Sequence, residues 1–233
     1  MRKLAESRRY RRESGEFFCD GEKLLGEAVS SGVEITCVMT CEDLKESTTV
    51  NIMRVSRDII EYISPMKTPQ PVVFSCKTPT RAPEREGKGV VVFETLQDPG
   101  NLGAVIRSAD AFGIEKVILL DGSADLYSPK TIRAAMGAVF RQPVLLMNHS
   151  QLSAWLEDER IPLLGAALTD RAESICDIDL SGAAVAVGSE GGGLTPELLN
   201  MCSREITIPM YPGSESLNAA VAASIIMWEI YKR

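Results

Sequence analysis

Short apolar runs recur along the chain after residue 88, and stretches with helical spacing separate them. The apolar runs cover 90–93, 117–120, 144–147, 163–168, 183–187 and 205–208. The predicted helices between them cover 101–112, 128–138, 150–159 and 217–232. Continuous apolar strands that alternate with helices are typical of a parallel sheet covered on both faces. The pattern therefore predicts an α/β domain built on a mainly parallel sheet.

A smaller α/β domain is predicted near the N-terminus. Helical spacing over 21–31 is followed by strand-like alternation over 33–39, and a further helix is expected over 56–63. After the apolar run 72–74 the chain becomes rich in proline, glycine and charge, as linkers are. A length of 233 residues also favours two domains. The predicted division is a domain at 1–75, a linker at 76–88 and a domain at 89–233.

The distribution of charge changes what the net charge suggests. A net charge of −7 argues against a nucleic-acid partner, because lysine and arginine supply most of the affinity for phosphate. The first twelve residues are nevertheless strongly basic, and Tyr10 stands between two arginine pairs. The basic residues of this segment are Arg2, Lys3, Arg8, Arg9, Arg11 and Arg12. They predict either an RNA-binding surface or a solvated terminal arm, and the charge alone leaves both open.

Hydropathy and cysteine spacing limit the class of protein. Hydrophobic residues make up 45% of the chain, which is ordinary for a globular protein. The apolar stretch 217–228 is shorter than the roughly 20 residues that a membrane span needs. Six cysteines are scattered without a C-x-x-C pair, and the chain has one histidine. We therefore expect a cytoplasmic protein with reduced thiols, no metal site and no membrane partner.

In parallel sheets ligands bind beyond the carboxyl ends of strands, and the first unusual loop there covers 94–107. A Pro-Gly turn leads into a helix that carries Asn101 and Arg107. Arg107 falls on the same helix face as Gly103 and Gly100. A surface arginine is the alternative to a functional one.

A second loop, 188–197, places Glu190 among glycines, which allow a ligand to approach the backbone closely. It lacks the G-x-G-x-x-G order of dinucleotide sites and the lysine of a P-loop. Thr195 followed by Pro196 indicates the N-cap and first residue of a helix. A tight turn without a ligand would also explain the glycines.

The third loop, 208–218, leads into a helix whose first turns are mostly small residues. Close helix packing explains the alanines. Ser216 and Asn218 remain as polar groups at the start of that helix, where free backbone amides favour polar ligands.

Together the three segments resemble the motifs of the SpoU/TrmH family of RNA ribose methyltransferases, members of the SPOUT superfamily. Asn101 with Arg107 is similar to the first motif, 188–191 to the second, and 208–218 to the third. The resemblance covers about 89–232 and includes the helix 129–138. Segment 8–21 is similar to the substrate-binding extension of many members, which has a ribosomal-protein-like fold. Asp20 stands where that extension usually has glutamate.

The resemblance implies a deep trefoil knot at the C-terminus, S-adenosylmethionine as cofactor and a homodimer formed through the knotted domain. The cofactor-binding residues it implies are Gly188, Ile208, Met210, Ser216, Leu217 and Asn218. The catalytic residues it implies are Arg107, Asn101, Glu190, Ser216 and Asn218. The expected RNA-binding residues are Arg8, Arg9, Arg11, Arg12, Arg133 and Arg141.

By the same resemblance Arg107 is the catalytic arginine. A guanidinium stays protonated in proteins, so we expect Arg107 to hold a phosphate and stabilise charge on the 2′-oxygen rather than to act as the base. Glu190 is expected either to orient Arg107 or to receive the proton through water.

The leading functional hypothesis is 2′-O-methylation of structured RNA, with ribosomal RNA as the expected substrate. Transfer RNA is the nearest alternative. A non-catalytic RNA-binding assembly factor and an unrelated nucleotide-binding enzyme are two further hypotheses.

Overall fold

The computed structural model describes residues 1–44, 50, 52–189 and 191–232, so Glu190 lies outside the described residues. Two sheets organise the described chain. A mixed four-stranded sheet lies in the N-terminal part and a seven-stranded sheet in the C-terminal part. The protein is therefore an α/β protein with two sheets.

Strand β4 organises the N-terminal sheet, whose order is β1-β4-β2-β3. It pairs antiparallel with β1 and with β2, while β2 and β3 are parallel. The elements are α1 (Arg2–Glu6), α2 (Arg8–Ser14), β1 (Glu16–Asp20), α3 (Glu22–Ser30), β2 (Ile35–Thr40), β3 (Ile52–Arg54), α4 (Arg57–Ile63) and β4 (Val72–Lys77).

The C-terminal sheet has the order β7-β6-β5-β10-β8-β11-β9, and every pairing between its described strands is parallel. This confirms the predicted parallel sheet. Its strands are β5 (Lys88–Phe93), β6 (Ile114–Leu120), β7 (Val144–Met147), β8 (Leu163–Ala166), β9 (Glu173–Ser174), β10 (Ala184–Val187) and β11 (Arg204–Thr207). Its helices are α5 (Pro99–Ala111), α6 (Pro129–Ala135), α7 (His149–Glu159), α8 (Pro196–Met201) and α9 (Ala219–Tyr231), with a 3-10 turn at Ala138–Phe140.

Helices cover both faces of this sheet. On one face, Val91 and Val185 pack in a cluster with residues of α5 and α9. On the other face, Val92 and Ala186 pack with residues of α7 and α8. Because both faces are buried, the strands read as continuous apolar runs in the sequence.

Capping residues in the sequence determine where α5 and α8 begin. Asp98 caps α5 by accepting a hydrogen bond from the backbone of Asn101 at 2.8 Å, and Pro99 fills the first helical position. Thr195 caps α8 in the same way, as the sequence predicts. The loops that end at these caps leave neighbouring strands, β5 and β10, at the same edge of the sheet.

Ion pairs and aromatic contacts join the two parts of the chain. The ring of Phe17 on β1 lies 4.7 Å from that of Tyr127. Arg11 pairs with Asp125 at 2.6 Å, and Arg133 pairs with Asp20. Burial raises the pKa of Asp20, and its hydrogen bonds to Arg133 partly oppose that shift.

These contacts bear on three residues expected to bind RNA. The side chain of Arg11 is only 7% exposed and also donates to the carbonyl oxygen of Leu4 at 2.6 Å. It is therefore an internal residue and not part of the exposed basic surface. Arg141 is half-exposed and pairs with Glu27 and with Asp110. Arg133 is likewise partly exposed and engaged with a carboxylate.

Candidate active site

A cavity of about 490 Å³ opens at the carboxyl ends of β8, β10 and β11. Its wall combines the loop after β10, the loop after β11 and the first turn of α9. Five of the six residues expected to bind the cofactor line it, namely Gly188, Ile208, Met210, Ser216 and Leu217. The structure thus brings together two loops that lie about twenty residues apart in sequence.

Residues 188, 189 and 191–195, which we call the glycine loop, form a tight turn. The backbones of Ser189 and Gly193 exchange two hydrogen bonds of 3.1 and 3.0 Å. A Cβ atom on Gly188 would lie 2.0 Å from the carbonyl carbon of Gly193. Only glycine fits at position 188, and the turn presents backbone rather than side chains to the cavity.

Asn218 joins the first and third segments. Its Oδ1 accepts hydrogen bonds from the backbones of Ala220 and Val221 at 3.0 and 3.3 Å, so it caps α9. Its Nδ2 donates to Oδ1 of Asn101 at 3.4 Å. These asparagines belong to a separate depression of about 440 Å³ rather than to the wall of the main cavity.

A further depression of about 290 Å³ lies between the loop after β5 and the glycine loop. Asn101 lines it from one side, and Ser189 and Gly191 line it from the other. Since Ser189 and Gly191 also line the main cavity, the two spaces meet at the glycine loop. Asn101 is therefore close to the wall of the main cavity.

Arg107 projects from α5 and is exposed. Across the described ranges, no hydrogen bond or ion pair engages its guanidinium. Its charge is therefore available to a ligand from solution. The structure shows no direct contact between Arg107 and the described cavity wall.

Sequence reasoning assigned no role to Glu94, the first residue after β5. Its side chain is 1% exposed and accepts hydrogen bonds from Thr195 and His149. An acid directly after an apolar strand, in a loop already singled out, is the sequence signal that would have indicated it.

Cys202, which follows α8, is poorly suited to act as a nucleophile. Burial, aided by Glu205 and Glu94, raises the pKa of the Cys202 thiol to about 11, so it stays protonated at neutral pH. Among the residues described, no group of three metal-ligating side chains is present. Likewise, none of the described helices is long and apolar enough to cross a membrane.

Both parts of the chain match known protein families. Residues 88–228 match a family described as the SpoU rRNA Methylase family. Residues 1–73 match an MRM3-like substrate binding domain.

Individual relatives match over nearly the full length. The 23S rRNA (guanosine(2553)-2′-O)-methyltransferase RlmP of Bacillus subtilis is 31% identical over 98% of this chain and 93% of its own. The SpoU methyltransferase AviRb of Streptomyces viridochromogenes, solved in complex with AdoMet, is 28% identical with a TM-score of 0.86, covering 99% of this chain and 95% of AviRb. A putative TrmH-family RNA methyltransferase from Porphyromonas gingivalis is 31% identical with a TM-score of 0.86 over 99% of this chain and 95% of its own. Because the family match covers residues 88–228, more than half of the chain, the chain belongs to the SpoU rRNA methylase family.

Proposed function

We propose that this protein transfers a methyl group from S-adenosylmethionine to a ribose 2′-hydroxyl of ribosomal RNA. The observation that carries the proposal is the single cavity formed by the glycine loop, the loop after β11 and the start of α9. Both the RlmP and the AviRb relatives carry names that agree with this chemistry.

The cavity suits the cofactor in size and chemistry. Its volume of about 490 Å³ falls in the range of ordinary ligand sites. The cradle at Gly188, which a Cβ atom would fill, leaves backbone groups free to bind a nucleoside. Ile208, Leu217 and Met210 supply apolar contact for the adenine and the methionine chain. When bound, S-adenosylmethionine supplies a methyl group activated by its sulfonium charge.

Arg107 acts on the RNA rather than on the cofactor. Its exposed guanidinium, unengaged by the described residues, is suited to hold the phosphate next to the target ribose. A fixed positive charge there stabilises the negative charge that develops on the 2′-oxygen as it loses its proton. Arg107 itself stays protonated throughout.

The remaining polar residues hold the reactants in line. Asn101 and Asn218, in contact at 3.4 Å, fix the start of α5 against the start of α9. Ser216, at the cavity wall, aligns the cofactor beside them. We assign Glu190 to orienting Arg107 or to accepting the proton through water. Productive alignment of this kind supplies much of the rate of a group transfer.

In this proposal RNA binds to the N-terminal domain over residues 1–75, which we take to have a ribosomal-protein-like fold. The linker 76–88, whose first two residues end β4 and whose last residue begins β5, joins it to the methyltransferase domain 89–233. The exposed Arg8, Arg9 and Arg12 on α2 supply positive charge. Arg133 and Arg141 keep partly exposed guanidinium groups and contribute at the edge of this surface.

We further propose a deep trefoil knot in the C-terminal segment and a homodimer formed through this knotted domain. In support, the chain leaves β11, passes the cavity through residues 208–218 and returns as α9 to pack on α5 and β5. α9 then exposes Val221 and Trp228 beside the depression that holds Asn101 and Asn218. We place the protein in the cytoplasm, where its free cysteines stay reduced.

Incubation with methyl-labelled S-adenosylmethionine and total RNA tests the proposal directly. The expected result is label on one 2′-O-methylated nucleotide of ribosomal RNA, mapped by nuclease digestion and mass spectrometry. Label confined to transfer RNA would replace the substrate but keep the chemistry. RNA binding with no label in any fraction would overturn the enzymatic proposal in favour of an assembly factor.

A further inference from the structure

Glu94 lies beside the cofactor cavity without lining it. It follows β5 directly, and its backbone N–H donates to the carbonyl oxygen of Val187 at 3.1 Å. Val187 is the last residue of β10 and precedes Gly188. The Glu94 side chain is 1% exposed, so its carboxylate must find its hydrogen-bond partners inside the protein.

Three donors converge on this carboxylate. The backbone N–H of Thr195 donates to Oε2 at 2.7 Å, and the Thr195 hydroxyl donates to Oε1 at 2.7 Å. Nε2 of His149 lies 2.8 Å from Oε1. Because an ionised carboxylate can only accept, we assign the donor role in this contact to Nε2 of His149. Hydrogen bonds to an ionised acceptor are about twice as strong as neutral ones.

The contacts fix both ends of the glycine loop. At its start, Gly188 follows the strand residue bonded to the Glu94 backbone, and at its end Thr195 is bonded to the Glu94 side chain. Between them lie three more glycines, at 191–193. Glycine loses more conformational freedom on ordering than any other residue. A loop of this composition is a costly one to order each time a ligand binds.

The backbone next to Glu94 is strained, which indicates that the surrounding contacts hold this segment in one conformation. Thr95 has a φ of 54°, which is unusual for a β-branched residue. Strain of this kind persists only where the surrounding contacts determine the conformation. The carbonyl oxygen of Leu96, one residue further, accepts a hydrogen bond of 2.8 Å from the backbone N–H of Ala124.

We propose that Glu94 is a positioning residue, which holds the glycine loop in its cofactor-binding conformation through Thr195 and links that loop to His149 on α7. The inference rests on the proposed function, because the cofactor is the ligand whose affinity it explains. Glu94 touches neither the cofactor nor the RNA. Its contribution is to remove the cost of ordering the loop on binding.

Calorimetric titration with S-adenosylhomocysteine, the product form of the cofactor, measures this contribution. Glu94→Gln keeps the shape of the side chain but turns an amide NH₂ toward groups that are themselves donors. We expect its dissociation constant to rise about tenfold, since one strong hydrogen bond is lost. Thr195→Val removes one of the same bonds. The loss of binding free energy in the double variant should therefore be measurably smaller than the sum of the two single losses.

Matched controls separate positioning from stability. Ser128→Ala removes the N-cap of α6, a seven-residue helix away from the cavity, as Thr195→Val removes that of α8. The melting temperature should fall in both variants, while the dissociation constant for S-adenosylhomocysteine should rise only in Thr195→Val. Thr195→Ser, which keeps both donors, should restore the affinity.

The single histidine gives a spectroscopic readout. In the wild-type protein, long-range ¹H–¹⁵N spectra should show His149 protonated at Nε2, and S-adenosylhomocysteine should shift its signals through Glu94 and Thr195. In Glu94→Gln the ligand-induced shift should vanish at saturating ligand.

The outcomes distinguish this inference from the proposed function. If the wild-type protein binds no S-adenosylhomocysteine, the proposed function fails. If the wild-type protein binds it and Glu94→Gln binds with the same dissociation constant while only its melting temperature falls, Glu94 is purely structural and the inference is overturned.

Discussion

Neighbouring arginines on α2 have different roles because the helix faces differ. Arg8, Arg9 and Arg12 are exposed, whereas Arg11 points inward to Asp125 and to the carbonyl oxygen of Leu4. The buried guanidinium is satisfied by Asp125 and by the carbonyl oxygens of Leu4 and Ala5. Removing one partner of a buried pair leaves the other charge uncompensated.

This difference predicts that one substitution lowers stability and another weakens RNA binding. Arg11→Ala should lower the free energy of unfolding by about 3 kcal/mol, measured by urea denaturation, because Asp125 loses its partner. Arg8→Ala with Arg12→Ala should leave stability unchanged but weaken RNA binding. The slope of log affinity against log salt should fall by about 1.5, since two phosphate contacts are lost. Arg81→Ala with Arg160→Ala, at exposed sites elsewhere, is the charge-matched control.

A second prediction at the residue scale concerns Arg107. Arg107→Ala should lower kcat for methyl transfer at least about 100-fold, as loss of a charge-stabilising donor does elsewhere. Affinity for S-adenosylhomocysteine should change less than about twofold, because Arg107 is on α5 and not in the cavity wall. Arg107→Lys keeps the charge but lacks the planar guanidinium. Its kcat should lie between those of the wild type and of Arg107→Ala. Equal losses of kcat and cofactor affinity would contradict the role assigned to Arg107.

Single residues were predictable only where a local pattern fixes their position. Gly188, Ser216 and Leu217 follow strand ends or precede a helix, and the structure places all three on one cavity. The inward turn of Arg11 depends on Asp125, 114 residues later in the chain. Glu94 likewise depends on Thr195, 101 residues away. No local periodicity carries information about such partners.

At the scale of elements, the two ends of the glycine loop lie unusually close together. A Cβ atom at position 188 would lie 2.1 Å from the carbonyl oxygen of Gly193 and 2.4 Å from the backbone nitrogen of Leu194. These are backbone atoms, so no side-chain rotation relieves the clash. The turn must open to accept any other residue.

Gly188→Ala should therefore abolish measurable binding of S-adenosylhomocysteine by calorimetry and destabilise the protein by about 2–3 kcal/mol. Gly182→Ala, in the turn before β10 where a Cβ atom meets nothing within 4 Å, is the matched control and should bind normally. Retained affinity in Gly188→Ala would show that the loop opens freely, contrary to the close packing around it.

The elements themselves followed from the sequence to differing extents. Helix 217–232 was predicted and α9 covers Ala219–Tyr231, with Asn218 as the cap. The strand over 72–74 extends to Lys77, because β1 and β2 pair with its full length. β9, two residues long, was not predicted; so short an edge strand has no alternation to detect and exists through its pairing with β11.

At the scale of the whole molecule, docking between the two parts is the feature that the sequence did not predict. The chain between β4 and β5 reads as a linker. Phe17, Tyr127 and Ile132 nevertheless lie in one apolar cluster that crosses from the first sheet to α6. Linker composition reports only the backbone between domains, whereas docking depends on residues distant in sequence on both sides.

The proposed homodimer leads to the last prediction. Trp228 is 46% exposed on α9, and Val221, about two helical turns earlier, is 48% exposed beside Asn101 and Asn218. A second copy seated there would remove this apolar surface from water and close the depression around both asparagines. Wild-type protein should therefore sediment at twice the 25.4 kDa of one chain at micromolar concentration.

Val221→Glu should convert that species to a monomer, because a charge would be buried in the interface, and should abolish methyl transfer by leaving the depression open. Trp228→Glu should do the same, although Trp228 also packs against Phe112 at 5.7 Å, so Val221→Glu is the cleaner variant. Tyr62→Glu changes an aromatic side chain that is 67% exposed on the N-terminal domain and should stay dimeric. A wild-type monomer with full activity would exclude both the dimer and its contribution to the site.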